Sequence, residues 1–427
     1  MSSLIDVSSV GPRASVRGEP AVRAGAYEAS AFVRWTFYAF VFSLPFETIE
    51  WGPLEPPTVL GALLLAGCAL LQPGLLLRWP PAGFWCFLAY VYVSVALGAL
   101  EFTRHRSEVT HDLFLLVQLT TLCWIAYCLM RDERVAAGAL GALVAACALL
   151  ALLQVTGVAS KATDVGAKVE RVTALGFHPN NLARIFALGL LALVGLTYAR
   201  RQALLRPRYL AWPAVALVGV ALVQTGSRGG LLALGAGLSV FVLGGGSLWS
   251  KARNLVGVGA VALFFVFVGV QSEVTRGRFE KTLEEGDLAR REEIYPSAWR
   301  MFREKPLLGW GGVTSTYELG SRLGHPEEES KNPHNLILYA LVSAGLAGTL
   351  PLLAGLAMCA RAAWRSRRGA HGVLPLVLAV AVLTANMSSL WLFNKLHWLV
   401  MAYALASVSY CRLPIGGWRL RNNRPAR

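Results

Sequence analysis

Val135–Gly157 reads VAAGALGALVAACALLALLQVTG, 23 residues without a single charge. About 20 apolar residues are enough for an α-helix to cross the roughly 30 Å hydrocarbon core of a bilayer. The stretch therefore predicts a membrane-spanning helix. Its glycines and alanines, dense from Ala136 to Ala148, suit close helix–helix packing in lipid rather than any chemistry.

Similar runs appear on both sides of it, at about 31–46, 58–77, 84–100, 109–130, 182–198, 209–225, 229–243, 255–271, 335–358, 373–390 and 396–411, which makes twelve in all. The composition agrees: 55% of the 427 residues are hydrophobic and 15% charged, and the mean hydropathy is +0.51, whereas soluble domains run near 25% charged. The expected fold is an all-α integral membrane protein of about twelve transmembrane helices. A water-soluble enzyme and a one-span anchor are both excluded. The segments divide as a tail over 1–30, helices one to nine over 31–271, a long loop with amphipathic helices over 272–334, helices ten to twelve over 335–411 and a basic tail over 412–427. The first 30 residues carry Arg13, Arg17 and Arg23 without an apolar run, so no cleaved signal peptide is expected. All seven cysteines fall in or beside apolar runs. They read as small lipid-compatible residues rather than disulfide or zinc partners.

Orientation follows from the lysines and arginines. Arg131 and Arg134, Arg200 to Arg208, Lys251 and Arg253, Arg361 to Arg368 and both termini lie in one set of alternating segments. That set is expected on the cytoplasmic side, with both termini. The pI near 9.8 then reports membrane topology, and nucleic acid is not expected as a partner. The opposite face keeps two longer loops, Val158 to Asn181 and Ser272 to His334. Loops of the second one's length are usually functional or disordered. Inside it Ile294, Tyr295, Ala298, Trp299, Met301 and Phe302 recur at helical spacing. This stripe fits either a helix lying on the membrane surface or the core of the loop itself. Pro306 and the glycines around Trp310 end it.

Polar residues at the outer ends of the helices carry the candidate chemistry. Arg228 sits in the tight turn Thr225-Gly226-Ser227-Arg228-Gly229-Gly230. It is either a cation snorkelling to headgroups or one fixed at the rim. Asn332-Pro333-His334-Asn335 opens the next apolar run. Imidazole exchanges a proton near neutral pH, so His334 is either a general base or a helix cap. Arg290-Arg291-Glu292-Glu293 begins the amphipathic stretch and, alone, reads as solvated charge. His178-Pro179-Asn180-Asn181 precedes Arg184, which lies about one turn into lipid depth and should face the protein interior. Arg104 and Arg106, before the fourth run, are candidate binders of acceptor phosphates, with snorkelling as the alternative.

In combination these segments are specific. Ser227-Arg228-Gly229-Gly230, then Arg291 to Tyr295 leading through Pro306-Leu307-Leu308-Gly309-Trp310-Gly311, then His334-Asn335-Leu336 through Ala344-Gly345-Leu346-Ala347-Gly348, resemble the O-antigen ligase and polymerase superfamily. Gly176 to Arg184 also resembles a stretch found before a span in that family. The likeness covers roughly Leu175 to Leu350. It implies a GT-C-like membrane fold and transfer of a preassembled glycan from undecaprenyl pyrophosphate to a sugar hydroxyl of the lipid A core, at the outer face of the inner membrane. It also implies catalytic roles for Arg228, Arg291 and His334, with Arg290 one position away as the rival to Arg291. Asn335, His178, Asn181 and Arg184 join them as substrate-binding candidates, Arg184 on grounds of depth alone. Two arginines on a departing pyrophosphate, with His334 as base, imply inversion at the anomeric carbon.

Asp112, Asp164 and Asp287 are scattered and form no Asp-x-Asp pair, so neither metal nor cofactor is expected. An O-antigen polymerase remains the nearest rival. Arg300 and Gly311 fit the arginine-to-glycine spacing of polymerases, but Arg171 meets Leu182 instead of glycine. A protein O-oligosaccharyltransferase lacks room for an added outer domain. A twelve-helix transporter would have midplane sites and matched halves, which the long loop interrupts.

Overall fold

The computed structural model describes residues 29–47, 55–158, 160–163, 171–198, 211–243, 247–271, 290–324 and 329–410. Both tails, Asp164, Asp287 and the basic run at 200–208 lie outside these residues. Among the described residues every one of the twelve apolar runs falls on a helix. The first nine are α1 (Ala31–Ser43), α2 (Pro56–Leu71), α3 (Ala82–Glu101), α4 (Arg106–Met130), α5 (Glu133–Val155), α6 (Pro179–Tyr198), α7 (Ala211–Gln224), α8 (Arg228–Val242) and α9 (Leu248–Gln271). Two further helices, α10 (Arg291–Glu304) and α11 (Gly312–Leu323), stand between α9 and α12 (Leu336–Arg365), followed by α13 (Leu374–Asn386) and α14 (Lys395–Ala406).

By length and composition, five helices among the described residues can cross a membrane: α3, α4, α5, α6 and the run that includes α12. The chain is a multi-pass membrane protein. Several of the other runs are shorter than the sequence suggests. The 12 residues of α14 extend only about 18 Å. The structure shows why this is tolerated: α14 is buried on every side, Trp398 and Tyr403 completely, and non-helical backbone beside it is covered by protein instead of lipid.

The bundle is organised around α6, which packs on α5, α7, α8 and α13, while α12 packs on α3 and α14 on α4. At Gly189 of α6 any side chain would run into Cys147 of α5. Glycine there sets the helix separation, as expected for helices packed in lipid.

The fold is mostly helical, consistent with the all-α expectation, and one short ribbon accompanies the helices. Ser160–Thr163 and Arg171–Ala174 pair as an antiparallel ribbon, Ser160 opposite Ala174 and Thr163 opposite Arg171. Four-residue strands are too short to leave a readable alternation.

In the described part of the long loop the apolar stripe forms loop core. Ile294, Ala298 and Met301 of α10 pack with Leu319 of α11 and Val342 of α12 as a small separate core, while Trp299 faces outward. Between α10 and α11 the chain does something the apolar pattern does not announce. α12 is broken at Gly345 (φ 56, ψ −160), and a helix break orphans carbonyls on one side and N–H groups on the other. The segment Pro306–Gly311 supplies both partners. Trp310 and Gly311 N–H donate to Val342 and Ser343 carbonyls at 2.8 Å each, and Leu346 and Ala347 N–H donate to Pro306 and Leu307 carbonyls at 2.8 and 3.0 Å. A Cβ on Gly309 would lie 2.6 Å from the Val342 carbonyl oxygen. The two glycine-bearing segments are thus one hydrogen-bonded unit. Glu101, at the end of α3, accepts from the free N–H groups of Val313 and Thr314 at 3.4 and 3.2 Å, a carboxylate on the N-terminal turn of α11.

Contacts between helix ends form two sets. Glu47 with Lys395, Glu101 with α11, Asn181 with Trp391 and Arg291 with Ser388 mark one end. Ser30 with Gln72, Tyr410 with Met130 and Ser366 with Ser407 mark the other. The candidate site occupies the first.

Candidate active site

The turn into α8 is the base of the site. Gly226 takes φ +60, Thr225 N–H and Gly226 N–H fold back on Leu222 and Val223 carbonyls, and Ser227 caps α8, its Oγ accepting from Gly230 N–H at 3.3 Å. Arg228 is therefore the first residue of α8, half-buried at its N-terminus. The two glycines after it bring this turn against the start of α6. A side chain on Gly230 would strike Ala183, and one on Gly229 would meet Ser388 Oγ at 2.5 Å and Arg184 Nη2 at 4.0 Å.

Arg184 faces the interior, as its depth requires, and is 3% exposed. One of its nitrogens makes a long 3.5 Å contact to Asn181 Oδ1, its guanidinium lies 6.0 Å from the Trp391 ring centroid, and Nε has no partner. Asn181 Oδ1 accepts a stronger 2.8 Å bond from Trp391 Nε1. Arg291, on the first turn of α10, donates from Nη2 to the Ser388 carbonyl at 2.8 Å and adds a like charge at Arg184. Its remaining donors have no hydrogen-bond partner among the described residues. Neither arginine forms an ion pair with a carboxylate among those residues. Tyr295, one turn on, donates to the Met387 carbonyl at 3.3 Å. Arg290, by contrast, sits at φ 61 and pairs with Glu293 at 3.6 Å. The neighbouring arginine is the one turned to Ser388.

His334 stands immediately before Asn335, the cap of α12. It takes φ 53, a left-handed conformation that costs a non-glycine residue about 1–2 kcal/mol and that gathers at functional sites. The next residue holds it there: Asn335 caps α12, its Oδ1 accepting from Ile337 and Leu338 N–H at 3.0 and 3.2 Å, and its Nδ2 points to Met387 Sδ at 4.0 Å. Arg184 and Arg291, with Gly229 beside Arg228 and Asn335 beside His334, thus border one short segment, Met387–Trp391, between α13 and α14.

That segment is what sequence reasoning missed. It carries no charge, and Ser388 is 97 positions from its partner Arg291. Asn386 fixes its shape: Oδ1 accepts from Trp391 N–H at 2.9 Å, and Nδ2 donates to the Val382 carbonyl at 2.8 Å and lies 3.1 Å from His397 Nδ1. An asparagine at a helix end followed by a tryptophan was the available signal.

Other candidates stand apart. His178 is exposed, its Nδ1 accepting from Asn180 N–H at 3.2 Å. It caps the start of α6. Arg104 and Arg106 are exposed between α3 and α4, and Arg106 lies over Phe102 at 5.5 Å. Among the described residues neither touches the arginine cluster. No three His, Cys, Asp or Glu among the described residues are grouped to hold a metal ion.

Residues 213–353 match the family model described as O-Antigen ligase. That segment runs from α7 into α12. It contains Arg228, Arg290, Arg291, His334 and Asn335, and excludes Asn181, Arg184 and Met387–Trp391. No curated protein matches the chain.

Proposed function

We propose, on the match of residues 213–353 to the O-antigen ligase family, that the protein joins an O-antigen glycan from undecaprenyl pyrophosphate to a sugar hydroxyl of the lipid A core. The reaction takes place at the outer face of the bacterial inner membrane, with both chain termini in the cytoplasm, and the twelve apolar helices all cross the bilayer.

One observation carries this reading: Arg184 and Arg291 both lie near Ser388, with no carboxylate counter-ion among the described residues, beside the N-terminus of α8 that begins with Arg228. Like charges gathered in a low-dielectric site raise the energy of the empty protein and are relieved by an anion. A guanidinium offers paired donors that match two phosphate oxygens. In the step itself the bond from the anomeric carbon to pyrophosphate oxygen breaks, a bond to the acceptor oxygen forms on the opposite face, and the hydroxyl proton passes to His334. The leaving diphosphate gains charge as it departs, and Arg228 and Arg291 stabilise that charge. Each such fixed donor contributes on the order of 3 kcal/mol, and the base about 10²- to 10⁴-fold. Arg184 supplies ground-state binding. The guanidinium groups take the part a divalent cation plays elsewhere, so the reaction proceeds with no metal or cofactor.

The test is purified protein with undecaprenyl-pyrophosphate glycan and lipid A core in the presence of a chelator. A joined product is expected. Product formed only from two lipid-linked glycans would make the protein a polymerase, and no product with any diphosphate donor would end the transferase reading.

A further inference from the structure

A cavity of about 520 Å3 opens beside the arginine cluster and shares Asn181 and Trp391 with it. Its other walls come from the end of α1, the start of α2, the first three turns of α4 and residues 390–395. The volume lies within the roughly 300–1,000 Å3 of small-molecule sites.

Its chemistry is unlike that of the cluster next door. The one amino group in the wall, Lys395, is buried and committed to Glu47, while Glu55 adds a further carboxylate. Among the described residues a phosphate meets no lysine or arginine there other than Lys395. What the wall does present is His111, Gln118 and Glu55 against the rings of Trp391, Phe114 and Phe393. Among the described residues the side chains of Glu55, His111 and Gln118 make no hydrogen bond. Gln118 lies about 18 Å along α4 from its start, at a depth where an unpartnered amide in lipid costs several kcal/mol. It is tolerated where it lines a polar, occupied space. A ring that stacks its C–H face on an aromatic and offers hydroxyls to a carboxylate, an amide and an imidazole satisfies this wall completely.

We propose that this cavity is a saccharide subsite, holding uncharged sugar rings of one of the two glycans while the diphosphate lies across Asn181 on the arginines. The inference rests on the transferase reading for its ligand and on the cavity for its place.

The test separates the two. In the full-length protein Thr58→Cys places a small thiol in the wall, and maleimide labelling of it is timed against the wild type as background. Two lipid-free probes are added at millimolar concentration: the O-glycan released from its carrier, and the core oligosaccharide released from lipid A. One of them should slow labelling about tenfold, and which one does so identifies the glycan as donor or acceptor. Inorganic pyrophosphate should not protect, and adding Gln118→Leu or Glu55→Gln should remove the protection. Equal labelling with and without both oligosaccharides, or protection by pyrophosphate instead, overturns the subsite. Protection in a protein that transfers nothing would sink the ligase reading and leave the saccharide site standing.

Discussion

The two ends of this helix bundle solve the problem of buried polar groups in opposite ways. At one end His371 Nδ1 meets the Tyr403 hydroxyl at 2.7 Å, Ser366 donates to Ser407 at 2.8 Å, and the Tyr410 hydroxyl donates to the Met130 carbonyl. These are neutral pairs. At the other end a 3%-exposed Arg184 leaves Nε unpartnered, Arg291 stands near it, and His334 holds a left-handed backbone. A neutral pair in a low-dielectric interior stabilises the fold and is complete in itself. Cations with no carboxylate partner among the described residues and a strained residue do the reverse, and such arrangements persist where a ligand completes them.

The sharpest way to break this contrast is to remove charge from the arginine end. Arg228→Ala, Arg291→Ala and His334→Ala should each lower the turnover number for glycan transfer by about 10²- to 10³-fold, with helical content and melting temperature close to wild type. Arg291→Lys should recover little, because an ammonium lacks the forked geometry. For Arg184→Ala the expectation differs. A buried unpaired cation is removed, so the melting temperature should hold or rise while the donor KM increases. Full activity in stably inserted Arg291→Ala would leave the contrast without functional meaning.

The neutral end makes a prediction in pH. Burial pushes His371 down from 6.5 to about 4. In the unfolded chain the imidazole binds a proton below pH 6.5, and in the folded protein it does so only near pH 4. Stability from this residue is therefore complete above pH 6.5 and is lost as the pH falls towards 4, by about 3 kcal/mol at most. Thermal melts of wild type and His371→Phe across pH 4–8 check this. The wild type should lose more stability towards acid, and the transfer rate of His371→Phe at pH 7.5 should match wild type.

An intermediate case lies between the two ends in kind. Asn386 is fully buried and neutral, yet its bonds to Trp391 and Val382 shape the segment that anchors Arg291. Asn386→Ala should cost about 1–3 kcal/mol of stability and about tenfold in turnover, measured together on the purified protein.

How much of this was readable in advance depends on the kind of information. The apolar runs located twelve helices, because lipid imposes length and hydrophobicity locally, whereas α11 lies in none of them. The turn around Arg228 was legible because Gly226, Gly229 and Gly230 have few other uses. Lysine and arginine counts separate faces but not neighbours on a face. Arg104 and Arg291 were equivalent on that measure, and only packing shows that one reaches Ser388 and the other does not. The pairing of Pro306–Gly311 with the break at Gly345 is a backbone event between two segments with no side-chain signature. Met387–Trp391 left only Asn386 and Trp391 as a signal, since it meets Arg291 and Tyr295 through carbonyl oxygens, which every residue has.

The smallest expected effect is also the cleanest control on the contrast. The Ser366 hydroxyl proton is shared between the Ser407 hydroxyl and the Ala363 carbonyl at the neutral end, and Ser407 donates to the Ala404 carbonyl of the helix it follows. Ser366→Ala removes one partner while Ser407 keeps the Ala404 carbonyl, so no group is left wholly unsatisfied. The cost should be about 1 kcal/mol or less, Ser366→Ala/Ser407→Ala together should cost less than the sum of the two, and transfer should proceed at the wild-type rate. If instead Ser366→Ala slows transfer as strongly as Asn386→Ala does, the two ends are mechanically coupled through α12 and α13, and the neutral end is part of the working machinery rather than its frame.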